Sequence, residues 1–374
     1  TPSSNRRQRQ MCIRDRLWGG VSDRIGRKPV LMIGLFGYGL SALLFGLATQ
    51  LWMLFAARAL SGVLSSAALA AAMAYVGDTT SEQERSSGMG ALGAAMALGL
   101  ILGPAVGGML AGESLSTPFF IAAAMALAAL LLILLFLPET RDFGFRISDV
   151  GCSRMRSSEF GMRNFRQLVH SPFGEFRETL IGPLGALFFM VTLFSFALSN
   201  FEAVFGLYAL EKYGYGPQRV GMILMVVALV STAGKATLTG PATRRWGEAR
   251  VIRGSLIAGS AGFAALLLAN TYPAVLLATA FFILSKTLLR PAALALISKR
   301  TTTGQGAVMG LSNSFSSLGR IAGPVWAGLV FDQHFDLPYL SGSIIMFAGF
   351  LLSLLWVKPK PRSDGGLEAK TAAG

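Results

Sequence analysis

Three observations predict that this chain is an all-α, polytopic membrane protein. Of its 374 residues, 53% are hydrophobic and only 14% are charged, where a soluble globular domain carries about 25% charged residues. The apolar residues gather in runs of about 20, each long enough to cross roughly 30 Å of hydrocarbon as a helix. Lys and Arg are shared unevenly among the connecting loops, with 21 in alternate loops and the C-terminal tail and two in the remaining loops. Helices are the expected form, because only helices and closed barrels satisfy every backbone hydrogen bond in lipid, and barrel strands read as short alternating segments.

The runs lie at residues 30–50, 51–77, 88–111, 118–138, 181–210, 217–240, 251–269, 273–297, 304–331 and 339–357. The basic loops are 17–29, 78–87, 139–179, 241–253, 298–303 and the tail; the positive-inside rule makes them, the central linker and the C-terminus cytoplasmic. Lys212 and Arg219 then face outward. Sorted this way, the net charge of +14 is a mark of topology rather than of nucleic-acid binding. Thr1–Arg16 is polar and Arg-rich without an apolar core, so it is neither a signal peptide nor a span. Its Met11–Arg16 resembles a translated sequencing adapter, and residues 1–16 are expected to be a non-native leader. Cys12 and Cys152 give no disulfide framework.

An internal repeat organises the rest. Gly19-x-x-x-Asp23-Arg24-x-Gly26 is echoed by Gly240-x-x-x-Arg244-Arg245-x-Gly247, 221 residues on. Gly99-x-x-x-Gly103-Pro104-x-x-Gly107-Gly108 is echoed by Gly319-x-x-x-Gly323-Pro324-x-x-Ala327-Gly328, 220 residues on. Two motifs sharing one offset predict two parallel halves related about an axis normal to the membrane. The halves are an N-terminal bundle over 17–140 and a six-helix C-terminal bundle over 181–357, joined by a charged linker at 141–180 and followed by a tail at 358–374. The first half holds four runs where the second holds six, so a further pair is expected before Val30, with Leu17–Gly20 as its end.

The loop Gly19-Gly-Val-Ser-Asp23-Arg24-Ile-Gly26-Arg27-Lys28 resembles the signature between the second and third helices of the Major Facilitator Superfamily. Leu54-x-x-x-Arg58-x-x-Ser61-Gly62 is similar to another pattern of that family, with Ser61 where glutamine is usual. The run Gly99, Gly103, Pro104, Gly107, Gly108 resembles the motif of drug:proton antiporters, as do Asp78, Leu137-Pro138-Glu139-Thr140 and Arg290-Pro291-Ala292 of tetracycline and multidrug efflux proteins. The resemblance implies the Major Facilitator fold of two six-helix bundles. It further implies that Gly19, Asp23, Arg24, Gly26, Arg27 and Lys28, with Asp78, form a cytoplasmic latch between halves; topology anchoring alone is the alternative. In Gly99–Gly108 the small residues allow close helix approach and the proline loosens the helix.

Charges inside spans are costly and mark functional candidates. Arg58, Glu202 and Lys286 are read as lining the cavity, with Glu202, the carboxylate placed within a span, as the site of proton coupling; a structural ion pair is its alternative. Desolvation favours the neutral form of a carboxyl and so suits one to carrying a proton. Lys286 and Arg290 lie one turn apart on one face and suit an anionic substrate. Lys235, Arg290 and Arg320 are otherwise read as stabilising helices near the inner surface. Phe188, Phe189, Met190, Phe194, Phe201 and Phe205 are read as either an adaptable cavity lining or plain packing.

His170 and His334 stand apart from any Cys or carboxylate cluster, so no metal is expected. The sequence lacks a phosphate-binding G-x-x-x-x-G-K-S/T loop and a G-x-S-x-G nucleophile elbow, so neither ATP-driven pumping nor hydrolysis is expected, and no cofactor. The expectation is a monomeric secondary transporter of a bacterial inner membrane. It would export a small amphipathic compound in exchange for protons, by alternating access. Transport of a metabolite or sugar on the same scaffold is one alternative, and a gene fragment without activity is another.

Overall fold

A computed structural model describes residues 25–81, 83–112, 114–139, 183–300 and 305–356. Every described regular element is a helix: α1 Arg27–Leu47, α2 Leu51–Leu64, α3 Ser66–Thr79, α4 Arg85–Leu110, α5 Thr117–Phe136, α6 Pro183–Tyr213, α7 Pro217–Thr237, α8 Thr239–Trp246, α9 Glu248–Leu268, α10 Tyr272–Arg300, α11 Gln305–Phe331 and α12 Leu337–Trp356. Among the described residues, eight of these are long and apolar enough to cross a membrane. All ten apolar runs read from the sequence are helical, and two differ from a plain span. The run at 51–77 pauses at Ser65, between α2 and α3, where Ala68 N–H turns back to Ser65 O (3.2 Å) while Ser65 N–H still bonds Ser61 O (2.9 Å). The 27-residue α11 is long enough, but Ser312, Asn313, Ser314, Ser316, Ser317 and Arg320 make it too polar to read as a simple lipid-facing helix.

The basic loop after α7 contains α8, whose last turn carries Arg244 and Arg245, where cations oppose the helix dipole favourably. Gly247 ends it at φ +77°, a left-handed conformation that favours glycine, and from there the chain turns directly into α9. Lys299 at the end of α10 forms an ion pair with Glu248 at the start of α9.

The helices form two compact units, one drawn from Thr1–Glu178 and Gly206–Leu229, the other from Thr179–Phe205 and Val230–Gly374. In the first, α1 packs against α2, α3 and α5. Val30, Leu31 and Ala71 are buried there, with Tyr75, Ile133 and Leu137 packed onto them. In the second, α9 lies between α10 and α12. Its centre is a ring cluster in which Phe201 sits 5.1 Å from Phe282, 6.0 Å from Tyr339 and 6.3 Å from Phe263, measured between ring centroids. Lipid tails are as apolar as these rings, so it is close packing, more than escape from water, that holds such a bundle together. Outward-facing Leu98, Leu102, Leu131, Leu135, Leu329 and Leu355 are exposed on the bare protein and suit a hydrocarbon solvent.

Candidate functional site

The second unit brings together two charges that the sequence places 84 residues apart. Lys286 Nζ donates to Glu202 Oε1 at 3.0 Å, linking α10 to α6. Lys286 is the middle residue of α10, about 21 Å from either end at 1.5 Å per residue, and Glu202 lies about 6 Å from the midpoint of α6. The ion pair thus lies near the midpoint of both helices, the depth along a span at which transporter substrate and ion sites are typically found. The ion pair weighed from the sequence as the alternative role for Glu202 is thus present, and it joins two of the three residues read as cavity-lining.

A cavity of about 270 Å³ opens beside it, lined by Lys286 and by residues of α6, α7, α10 and α11. Its polar wall is built from paired hydroxyls. Ser195 Oγ and Ser316 Oγ are 2.8 Å apart, and Thr287 Oγ1 donates to Ser231 Oγ at 3.4 Å. Its apolar wall includes Phe194, Leu198 and Leu294. Lys235, Arg290 and Arg320, read from the sequence as helix stabilisers, all border this cavity. Arg320 Nη2 also donates to Ser317 Oγ at 3.1 Å. The hydroxyls escaped sequence reading because serine and threonine are common in membrane helices; only the assembled bundle shows which of them converge.

Of the aromatic residues proposed for a cavity lining, Phe194 borders the cavity, whereas Phe188, Phe201 and Phe205 are buried in packing and Phe189 is half exposed. Arg58 belongs to the first unit, where its guanidinium lies over the Phe45 ring at 5.1 Å, a cation–π contact that offsets part of the cost of a charge within a span.

At one end of the first unit, Arg27 Nε donates to Asp78 Oδ2 at 2.8 Å, tying α1 to α3. Lys28 Nζ reaches Leu134 O at 3.1 Å, and Tyr75 OH reaches Pro138 O at 3.1 Å, so the end of α5 is drawn into the same knot. Gly26 is at φ +104°, a backbone conformation that favours glycine, and a Cβ there would fall 2.8 Å from the Glu139 carboxylate, which would have to move aside. Gly26, Arg27, Lys28 and Asp78 are therefore assembled within one unit. Gly19, Asp23 and Arg24, the rest of the expected latch, lie outside the described residues, as do the leader and the 141–180 linker.

The antiporter-like run divides by face. Gly108 packs on α7, where a Cβ would meet Pro217 O at 2.5 Å and Gly221 Cα at 2.9 Å, and Gly221 in turn packs against Pro104 O. Gly99, Gly103 and Gly107 meet no described atom within 4 Å.

Comparison with known proteins agrees with this architecture. A sequence profile of the Major Facilitator Superfamily matches residues 17–235 and 187–373. Multidrug resistance protein 2 of Bacillus subtilis (strain 168) is 32% identical, over 90% of this chain and 81% of that protein. Tetracycline resistance protein, class B, of Escherichia coli is 29% identical over 87% of this chain and 77% of its own length. The crystal structure of the human organic anion transporter MFSD10 (TETRAN) shares the fold with a TM-score of 0.55 at 23% identity, covering 91% of this chain and 80% of that one.

Proposed function

Because this chain belongs to the Major Facilitator Superfamily, we propose that it is a proton-coupled exporter of a small amphipathic organic compound, resident in a plasma membrane with its central linker and C-terminus in the cytoplasm. The names of its relatives, a multidrug and a tetracycline resistance protein, support efflux of such compounds. The observation that carries the reading is the Glu202–Lys286 pair at mid-span beside a cavity with one apolar and one polar wall. Ionised Glu202 accepts from the Lys286 ammonium and the two charges offset one another. A proton arriving on the carboxylate removes that charge and releases the ammonium to other partners. This is the kind of bistable contact through which a proton biases one arrangement of helices over another. The two halves then rock about the site to expose it alternately to either side.

The test is transport by the purified protein in sealed vesicles. With an acid interior, a fluorescent amphipathic dye should accumulate inside through molecules inserted with their cytoplasmic face outward, and an ionophore that collapses the gradient should release it. Dye that merely equilibrates, with or without the gradient, would refute proton coupling.

The Arg27–Asp78 pair serves in this reading as part of the cytoplasmic latch. Its carboxylate is 46% exposed, and ion pairs so open to solvent contribute about 1 kcal/mol or less. Arg27→Ala should therefore lower thermal stability only slightly while slowing turnover several-fold at unchanged substrate affinity. Normal turnover would reduce the pair to a topological anchor, and a change confined to affinity would move it to the substrate site.

A further inference from the structure

The cavity of the second unit carries more positive charge than the coupling pair needs. Four cations line it, Lys235, Lys286, Arg290 and Arg320, and no carboxylate does. Glu202 balances Lys286. Among the described residues no carboxylate pairs with Lys235, Arg290 or Arg320. Counted along their helices at 1.5 Å per residue, Lys235 stands about 3 Å from the end of α7 at Thr237, Arg290 about 15 Å from the Arg300 end of α10, and Arg320 about 22 Å from the Gln305 end of α11. These three helix ends lie on one side of the bundle, since 301–304 joins α10 to α11 and the topology alternates. The cations therefore form a stair that climbs from the basic face to the height of the coupling pair. Lys235, Arg290 and Arg320 are all exposed on the bare protein, so a ligand in the cavity can reach them. Cations at such positions within spans mark ligand pathways, and arginine's planar fork matches a carboxylate, sulfonate or phosphate.

We infer that this cavity binds an anionic headgroup on an apolar body, the headgroup taken by Arg290 and Arg320 with Lys235 steering it inward, and the body resting on Phe194, Leu198 and Leu294. The inference rests on the reading of this cavity as the transporter's substrate site, and it narrows the amphipathic substrate to one bearing an acid group. The same chemistry is available from a water-borne organic acid and from an acidic phospholipid.

The experiment is equilibrium binding to the purified protein in phosphatidylcholine nanodiscs of three probes of matched shape: 2-naphthalenesulfonate, neutral 2-naphthalenesulfonamide and cationic 2-naphthyltrimethylammonium. The sulfonate should bind at least ten-fold tighter than either of the others. Arg290→Gln and Arg320→Gln should each weaken sulfonate binding about ten-fold and leave sulfonamide binding unchanged, while Arg290→Lys retains most of it; constant sulfonamide binding shows that the variants are folded. Repeating the titration in discs containing phosphatidylglycerol separates the sources. Unchanged sulfonate affinity assigns the site to a soluble acid, and its loss through competition assigns it to the lipid. Equal affinity for all three probes, or preference for the cation, would overturn the anion site while leaving proton-coupled export intact. Failure of every probe to bind, together with failure of gradient-driven dye accumulation, would overturn the underlying reading as well.

Discussion

Glu202→Gln should reduce accumulation driven by a pH gradient to the level of empty vesicles, while exchange of labelled for unlabelled substrate continues. Glutamine keeps the size of the side chain and can still accept from Lys286 Nζ, now 3.0 Å from the carboxylate, but it neither carries a charge nor takes up a proton. Substrate binding and rocking are retained on this account, and only the link between proton and rocking is cut. Lys286→Gln is the complementary change. It removes the cation whose contact with Glu202 changes with protonation, so the link between proton and rocking is cut from the other side and coupled transport should again fail. If Glu202→Gln pumps with an unchanged pH dependence, the pair is structural and coupling lies elsewhere in the chain.

Gly319→Leu should be the most damaging packing change, and Gly328→Leu, nine residues along the same helix, should be tolerated. Gly319 is where α11 lies directly on α6: a Cβ there would press on Thr192 O and fall 2.8 Å from Phe196 N, both backbone atoms that cannot rotate away. Gly323 repeats the contact one turn later, 2.7 Å from Phe196 O. Overpacking ordinarily costs about 1–3 kcal/mol, and here the helices themselves must separate, so the upper end or beyond is expected. A Cβ added at Gly328 would meet no described atom within 4 Å. Replacing Gly328 removes a glycine from a helix interior, a gain of roughly 0.5–1 kcal/mol. Thermal unfolding of the two variants in detergent should therefore move in opposite directions. Equal destabilisation of both would mean that α11 is not seated on α6 as described.

The helix inventory was legible because most of the apolar runs are long and carry few charges, and the repeat was legible because its glycine and proline spacings recur at one offset. What the motif spacing does not encode is which glycines face a neighbour. In the first copy Gly108 and the Pro104 carbonyl meet α7, whereas in the second Gly319 and Gly323 meet α6 and Gly328 is open. A spacing of four places residues on one face of a helix without saying what that face touches. The pause at Ser65 was hidden for a related reason. Serine is compatible with a helix, and only the turn back from Ala68 to Ser65 O reveals the break.

For the site, the residue type carried more than its position did. A carboxylate inside a span drew attention to Glu202 alone, and helical spacing picked out Lys286 and Arg290, but their common cavity with Lys235 and Arg320 depends on the rotation of four helices. Arg27 and Asp78 were tied to the latch by resemblance. Their 2.8 Å contact follows from α1 and α3 packing side by side through Val30, Leu31 and Ala71.

The central claim is that substrate and protons move through one protein in opposite directions, and proton movement evoked by substrate tests it most directly. Vesicles loaded with a pH-sensitive dye, holding the protein and no imposed gradient, receive an outwardly or inwardly directed pulse of a transported compound. The account predicts that the interior acidifies when the compound leaves and alkalinises when it enters, and that Glu202→Gln silences both responses while the compound still exchanges. A compound that crosses with no change of internal pH in the unaltered protein would contradict it.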